Sequence, residues 1–135
     1  MIVGADVGAD MTEGIKSYRD LQVWRMSMDL TESIYEATSH WPTDERFGLI
    51  SQVRRAAVSV PSNIAEGAAR QSTGEFIQFL GMARGSLAEV ETQLLLAQRL
   101  SYSPETDVAA LLAMSGDISR MLVALIASLK RRQPN

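Results

Sequence analysis

Two stretches of the sequence repeat apolar residues at alternating steps of four and three, and this heptad spacing constrains the fold more than any other feature. Such spacing keeps one side of a helix apolar over many turns, as in helices that pack side by side. The first seam consists of Phe76, Leu80, Ala83, Leu87, Val90, Leu94 and Ala97. The second consists of Val108, Leu111, Ser115, Ile118, Leu122, Leu125 and Leu129. Two long, packed helices are therefore predicted.

Two earlier segments also have helical apolar spacing. In the first, the apolar stripe is Leu21, Trp24, Met28 and Tyr35. In the second, it is Ile50, Val53, Ala57, Val60, Ile64 and Ala68. Pro61 lies inside the second pattern. Because proline lacks a backbone N–H and clashes with the carbonyl four residues earlier, we expect a kink near Pro61.

Capping residues predict where each helix begins. Ser17 and Ser72 are each followed three residues later by an acid, the capping-box pattern. Thr43 precedes two acids, and Ser103 precedes a proline, which suits the first helical position. No strand pattern interrupts the helices. The sequence therefore predicts an all-α, antiparallel up-down-up-down four-helix bundle over residues 17–132. A flexible tail over 1–16 precedes predicted helices at about 19–40, 44–69, 73–100 and 104–131.

Composition excludes several classes of protein. The chain has 135 residues, a length typical of one domain, and no cysteine, which excludes disulfides, cysteine-ligated metals and thiol nucleophiles. Its net charge of -3 disfavours a generally basic nucleic-acid binder. No run approaches the roughly 20 uninterrupted apolar residues of a membrane helix, and no secretory signal is evident. We expect a cytoplasmic protein without a membrane partner, with translation starting at Met1 or Met11.

Catalytic constellations do not assemble in the sequence. His40 is the single histidine, and residue 37 is alanine, so the Glu-x-x-His pair of a di-iron bundle is absent. Glu89 and Glu91 are two residues apart and face different directions on a helix. We therefore predict no enzyme, no catalytic residue, no cofactor and no metal site.

Polar residues and glycines mark two further features of the second and third helices. Arg55, Asn63, Glu66 and Glu89 either belong to a solvated face or form a structural polar network at a subunit contact. Gly67, Gly81 and Gly85 are interior helix glycines, each costing about 1 kcal/mol relative to alanine. That cost indicates close helix packing at the three glycines.

The last two helices carry more apolar residues than their seams require. These are Met82, Leu95, Leu96, Met114, Met121, Val123 and Ile126. They belong either to a wide core with some exposed members or to a second face buried against another subunit. We favour the homo-oligomer.

The chain resembles the four-helix bundle proteins encoded in intervening sequences of bacterial large-subunit ribosomal RNA genes. The motifs that carry the resemblance are YRDLQVW at 18–24, SQVRRAAVSVPSNIAEGAAR at 51–70 and EFIQFLGMARGSLAEVETQLLLAQRL at 75–100. The resemblance implies a bacterial four-helix bundle that forms a homopentamer. The chain is also similar to the accessory variability determinant of diversity-generating retroelements, and this resemblance implies association with nucleic acid.

Local basic residues are the candidate nucleic-acid contacts that go with this resemblance. They are Arg70, Arg84, Lys130, Arg131 and Arg132. Repeated around a ring, even a modest basic patch gains affinity through multivalency. The predicted function is a non-enzymatic, homo-oligomeric scaffold that associates with RNA or DNA. The alternative is a protein–protein interaction module that binds a protein partner and no nucleic acid.

Overall fold

The computed structural model describes residues 14–133, and this range forms four α-helices with no strand. The helices are α1 (Gln22–Thr38), α2 (Leu49–Ala68), α3 (Thr73–Arg99) and α4 (Glu105–Arg132). Short 3₁₀ turns at Tyr18–Asp20 and Thr43–Glu45 precede α1 and α2. The predicted all-α four-helix bundle is confirmed. Most of the predicted tail lies outside the described residues.

The two heptad seams form the centre of the core. Every seam residue of α3 and α4 is buried, Ser115 included, and so is the whole predicted stripe of α2. The helices pack in a closed order, α1 on α2, α2 on α3, α3 on α4 and α4 on α1, with the most extensive contact between α2 and α3. Apolar spacing in the sequence, heptad in α3 and α4 and helical in α2, therefore identified the buried face of three helices.

The core face of α1 differs from the predicted stripe. Met28 and Tyr35 are 45% and 43% exposed, whereas Ser27 and Thr38 are fully buried. Each of these two hydroxyls donates to the backbone carbonyl four residues earlier, at 2.7 Å. Because this bond satisfies the hydroxyl within the helix, Ser27 and Thr38 can occupy core positions. A prediction based on apolar spacing alone does not find such positions.

The start of α2 also differs from the prediction. Residues 44–48 form turns, and α2 begins at Leu49, with no cap from Thr43. Glu45 Oε1 instead accepts a hydrogen bond from the Leu49 backbone N–H at 3.0 Å. At α3 the predicted cap is confirmed, since Ser72 Oγ accepts from the Glu75 N–H at 3.2 Å.

One end of the bundle is closed by contacts between its two connections. Trp41 Nε1 donates to Ser103 Oγ at 2.6 Å, which takes Ser103 away from its predicted capping role. Tyr102 Oη donates to Glu45 Oε2 at 2.7 Å. The α1–α2 and α3–α4 connections therefore lie at the same end of the bundle.

Helix α2 runs without interruption through Pro61, which is buried. Proline leaves the carbonyl of residue 57 without its usual intrahelical donor. Thr31 Oγ1 of α1 lies 3.1 Å from this Ala57 carbonyl and 2.8 Å from the Ser27 carbonyl, so one hydroxyl serves both acceptors. The neighbouring helix thus supplies the hydrogen bond that proline removes, while the kink near Pro61 stays a prediction.

Helix α4 is the one helix of residues 14–133 whose length and apolar composition would allow it to cross a membrane, with 33% of its apolar stretch buried in the bundle. Asp117 and Arg120 form an ion pair on its surface. Core helices of soluble bundles meet the same two criteria, so this property is weak evidence for a membrane span.

Candidate interaction surfaces

Arg70, the first predicted nucleic-acid contact, is held by acidic neighbours at the end of α2. Its guanidinium lies 2.7 Å from Glu66 and 3.8 Å from Glu75, measured nitrogen to carboxylate oxygen. The guanidinium carbon also lies 4.8 Å from the centre of the Phe79 ring. Two carboxylates therefore offset the charge of Arg70, which weakens its attraction for a phosphate.

The other basic candidates divide between two places. Lys130 and Arg131 are exposed in the last turn of α4, and Arg132 is half-buried. This turn lies beside the start of α3, since a Cβ atom on Gly74 would be 3.2 Å from Gln133 Nε2. Arg70 belongs to the same end, because α2 leads there directly into α3. We call these residues, Arg70, Lys130, Arg131 and Arg132, the basic end.

Arg84 lies apart from the basic end. It is about 16 Å further along α3 than Thr73, at 1.5 Å per residue. Arg84 is exposed and lines a shallow groove with Glu91 of its own helix and Ser119 of α4. The structure therefore does not join the five predicted contacts into one site.

The predicted polar network does not form within one chain. Asn63 Nδ2 donates to the Ser59 carbonyl at 2.8 Å, and Glu66 is occupied by Arg70. Arg55 and Glu89 line the same groove between α2 and α3, of about 380 Å³, yet no ion pair joins them. Gln93 lines this groove too, and its Oε1 is buried without a hydrogen-bond partner within residues 14–133.

The three predicted glycines have different surroundings. A Cβ atom on Gly67 would lie 2.7 Å from Phe79 Cβ and 3.0 Å from Phe76 Cδ1, so α2 approaches α3 closely there. Gly81 and Gly85 are exposed, and a Cβ atom on either would meet nothing within 4 Å. The close packing expected at Gly81 and Gly85 is thus absent within the chain, because both glycines lie on the outer side of α3.

The surplus apolar residues also divide into two groups. Met114, Met121 and Ile126 pack partly against the core. The remaining members are 45–49% exposed, and these are Met82, Leu95, Leu96 and Val123. The helices therefore keep apolar area on their outer sides after the bundle core is complete.

A further groove, between α1 and α2, has no counterpart in the sequence analysis. It has a volume of about 520 Å³, and three arginines and two aromatic side chains line it. Phe47, at its edge, is 89% exposed. The pair Arg46-Phe47 before Gly48 could have indicated this groove in the sequence. It did not, because the second helix was predicted to begin at residue 44, whereas α2 begins at Leu49 and leaves the pair in a turn.

Metal-ligand clusters are absent from residues 14–133, where no three His, Cys, Asp or Glu side chains could hold one ion. His40 is exposed just after the end of α1. The surface of residues 14–133 has grooves and outward glycines, and exposed arginines such as Arg84 and Arg131 take part in none of its ion pairs.

The fold places the protein in a class, that of all-α four-helix bundles. The chain belongs to the 23S rRNA-intervening sequence protein family, which it matches over residues 19–124, and the resemblance noted in its motifs is confirmed. The family match covers α1 to α3 and most of α4.

A solved structure agrees with this assignment. The chain is similar to a protein of unknown function of the S23 ribosomal protein family from Bacteroides thetaiotaomicron, whose crystal structure was determined at 1.70 Å resolution. The TM-score is 0.70 and the sequence identity 25%, over 77% of this chain and 97% of that chain. No curated protein matches the chain.

Proposed function

We propose that the protein is a non-enzymatic, homo-oligomeric helical scaffold of the bacterial cytoplasm that associates with RNA or DNA. The outward glycines of α3 carry the oligomer part of the proposal, and the basic end carries the nucleic-acid part. A ring of five subunits is the form that the family resemblance implies.

The outer side of α3 has the properties of a surface that another helix covers. Gly81 and Gly85 each cost about 1 kcal/mol as interior helix residues and gain no contact inside the chain. Ala88 and Thr92 continue the same side with small side chains. Next to Thr92, the buried Gln93 Oε1 has no donor among residues 14–133, and an acceptor left in that state costs about 1–3 kcal/mol until a partner donates. A second copy of the chain resting on this side would offset both costs.

Light scattering coupled to size-exclusion chromatography tests the oligomer. The wild-type chain should elute as a multiple of its 14.8 kDa mass. The double variant Gly81→Leu/Gly85→Leu should shift toward a smaller species, since two bulky side chains block close approach. The matched control is Ala109→Leu, an exposed position of α4, and it should leave the mass unchanged. A monomeric wild-type protein would refute the proposed oligomer.

The basic end supports the nucleic-acid part because its exposed cations repeat in every subunit. Lys130 and Arg131 lie together at the C-terminal end of α4, with no ion pair to either among residues 14–133. A ring would present several such ends at once, and binding through several weak contacts multiplies affinity.

Fluorescence anisotropy against structured ribosomal RNA and duplex DNA, titrated with salt, tests the nucleic-acid part. Affinity should fall steeply with salt, because each phosphate contact releases a counterion. Substituting glutamine for Arg70, Arg84, Arg131 and Arg132 together should flatten the dependence, by about 0.7–0.9 in log–log slope per lost contact. An unchanged slope would discard those residues, and no binding at low salt would refute nucleic-acid association.

The alternative function, a protein–protein interaction module, has one observation in its favour. Leu96 and Leu100 are 45% and 46% exposed, and their four-residue spacing sets them side by side at the end of α3. If the chain binds no nucleic acid at low salt, this apolar strip is the surface to test, by Leu96→Ser/Leu100→Ser in a partner-binding assay.

A further inference from the structure

The groove between α1 and α2 combines exposed aromatic area with three arginines. Phe47 is 89% exposed, Tyr35 43% and Val58 41%, and all three line the groove. Arg46, Arg54 and Arg55 line it as well, and no lining residue is acidic. Exposed aromatic faces and local positive charge are complementary to an anionic ligand that has flat apolar faces.

Arg54 is fixed in place before any ligand binds. Its Nε donates to Thr38 Oγ1 at 2.8 Å, and its Nη2 donates to the Tyr35 carbonyl at 3.2 Å. The guanidinium carbon lies 4.5 Å from the centre of the Tyr35 ring. A guanidinium has five N–H donors, so further donors remain for an anion. Because the side chain is already ordered, binding costs less conformational entropy.

Phe47 is held outward by the turn that precedes α2. Glu45 Oε1 accepts the Leu49 N–H, and the Gly48 N–H donates to the Glu45 carbonyl at 3.0 Å, which fixes the backbone on both sides of Phe47. The Arg46 guanidinium carbon lies 5.2 Å from the centre of the Phe47 ring. None of the ion pairs within residues 14–133 involves Arg46. Arg46 thus lies over one face of the Phe47 ring, and the ring still remains 89% exposed at the groove edge.

We infer that this groove binds a single-stranded segment of nucleic acid, with a base stacked on Phe47 and phosphates held by Arg46 and Arg54. Single strands offer both unstacked base faces and phosphates, whereas a duplex keeps its bases stacked inside. An acidic peptide would satisfy the arginines but would leave Phe47 without a flat ring to cover it, unless it carried aromatic residues. The inference rests on the proposed nucleic-acid function and names a site separate from the basic end.

Anisotropy with a fluorescein-labelled single-stranded RNA of about 12 nucleotides, and with a duplex of the same sequence, tests the site. Phe47→Ala should weaken single-strand binding roughly 5- to 150-fold, the range expected for loss of one stacked base. Arg46→Gln should weaken it and lower the log–log salt slope by about 0.7, the value for one phosphate of a single strand. Matched controls are Met28→Ala on α1 and Arg99→Gln on α3, exposed positions outside this groove, and both should bind like the wild type.

The outcomes separate this site from the general function. If wild type binds RNA while Phe47→Ala and Arg46→Gln match their controls, the groove is excluded and the basic end remains the contact surface. If wild type binds no nucleic acid at low salt, both the groove and the proposed function fail. If an acidic peptide containing phenylalanine displaces the RNA and binds more tightly, and Phe47→Ala abolishes its binding, the groove is a peptide site and the inference is overturned. Circular dichroism and elution volume verify that each variant stays folded and assembled.

Discussion

Glu45 is the residue that ties local capping to the closure of the bundle. One carboxylate oxygen accepts the Leu49 N–H that starts α2, and the other accepts the Tyr102 hydroxyl from the α3–α4 connection. The Leu49 N–H and then the Tyr102 hydroxyl lower the pKa of Glu45 below its ordinary value of 4.5. The same bond to Glu45 raises the pKa of Tyr102 above 10.0. Both bonds thus favour the charge states found at neutral pH.

The pKa of Glu45 leads to a prediction about acid stability. A carboxyl group whose pKa is lowered by folding stabilises the protein above its unfolded pKa, and that contribution is lost as pH falls through the folded pKa. We expect Glu45→Gln to be less stable than wild type at pH 7, with the difference shrinking below about pH 4.5. Urea unfolding from pH 3 to 7 measures this.

Two controls isolate Glu45 in that experiment. Asp20 also has a lowered pKa, through the backbone N–H groups of Lys16 and Ser17, so the pH series is repeated in an Asp20→Asn background. Tyr102→Phe removes the phenol while leaving the bond to Leu49. A pH-independent difference between wild type and Glu45→Gln would contradict the prediction.

At the scale of elements, a proline within one helix is matched by a threonine on its neighbour. Pro61 removes the donor that the Ala57 carbonyl would use, and Thr31 of α1 lies within hydrogen-bond distance of that carbonyl. We predict that Thr31→Val costs about 1 kcal/mol of unfolding free energy in the wild type and less in a Pro61→Ala background, where the helix supplies its own donor.

A double-mutant cycle by urea unfolding measures this coupling. Thr92→Val is the matched control, because Thr92 Oγ1 donates to the Ala88 carbonyl of its own helix, at 2.9 Å. Thr92→Val should show no coupling to Pro61. Equal costs of Thr31→Val in both backgrounds would show that the Ala57 carbonyl does not depend on Thr31.

The glycines of α2 and α3 give a second prediction at this scale. Gly67→Ala should destabilise the fold by about 1–3 kcal/mol, since its Cβ would overlap the Phe79 side chain and the two helices must separate. Gly81→Ala meets nothing within 4 Å inside the chain, so at protein concentrations low enough to keep the chain monomeric it should add about 1 kcal/mol through helix propensity. Thermal unfolding of the two variants measures both signs. A neutral Gly67→Ala would contradict the close approach of α2 and α3.

At the scale of the whole molecule, stability and assembly should be linked. If copies of the chain cover the outer side of α3, mass action stabilises the folded state more at higher concentration. We therefore expect the wild-type Tm to rise with protein concentration, and the Tm of Gly81→Leu/Gly85→Leu to stay nearly constant. Differential scanning calorimetry over a hundredfold concentration range measures this. A concentration-independent wild-type Tm would contradict the proposed oligomer.

The charge distribution also belongs to the whole molecule. The net charge of -3 gives no sign of local positive regions, yet the bundle collects cations at the basic end and in the groove between α1 and α2. Net charge is a sum over all residues, whereas binding depends on the local potential. At Arg70 the opposite happens. The sequence suggested a positively charged contact there, but folding places Glu66 and Glu75 beside Arg70 and offsets its charge.

The helical class and the buried faces of α2, α3 and α4 could be predicted from local sequence patterns. Heptad spacing is a local property, and once a segment is helical the spacing alone decides which residues share a side. The cap at Ser72 could also be predicted from the sequence, because its partner Glu75 is only three residues away. The tertiary structure decided the contacts between residues distant in sequence, such as Tyr102 with Glu45 and Thr31 with Ala57. It also decided which hydroxyls α1 buries and which glycines meet a neighbour, because both depend on the position of a second helix in space.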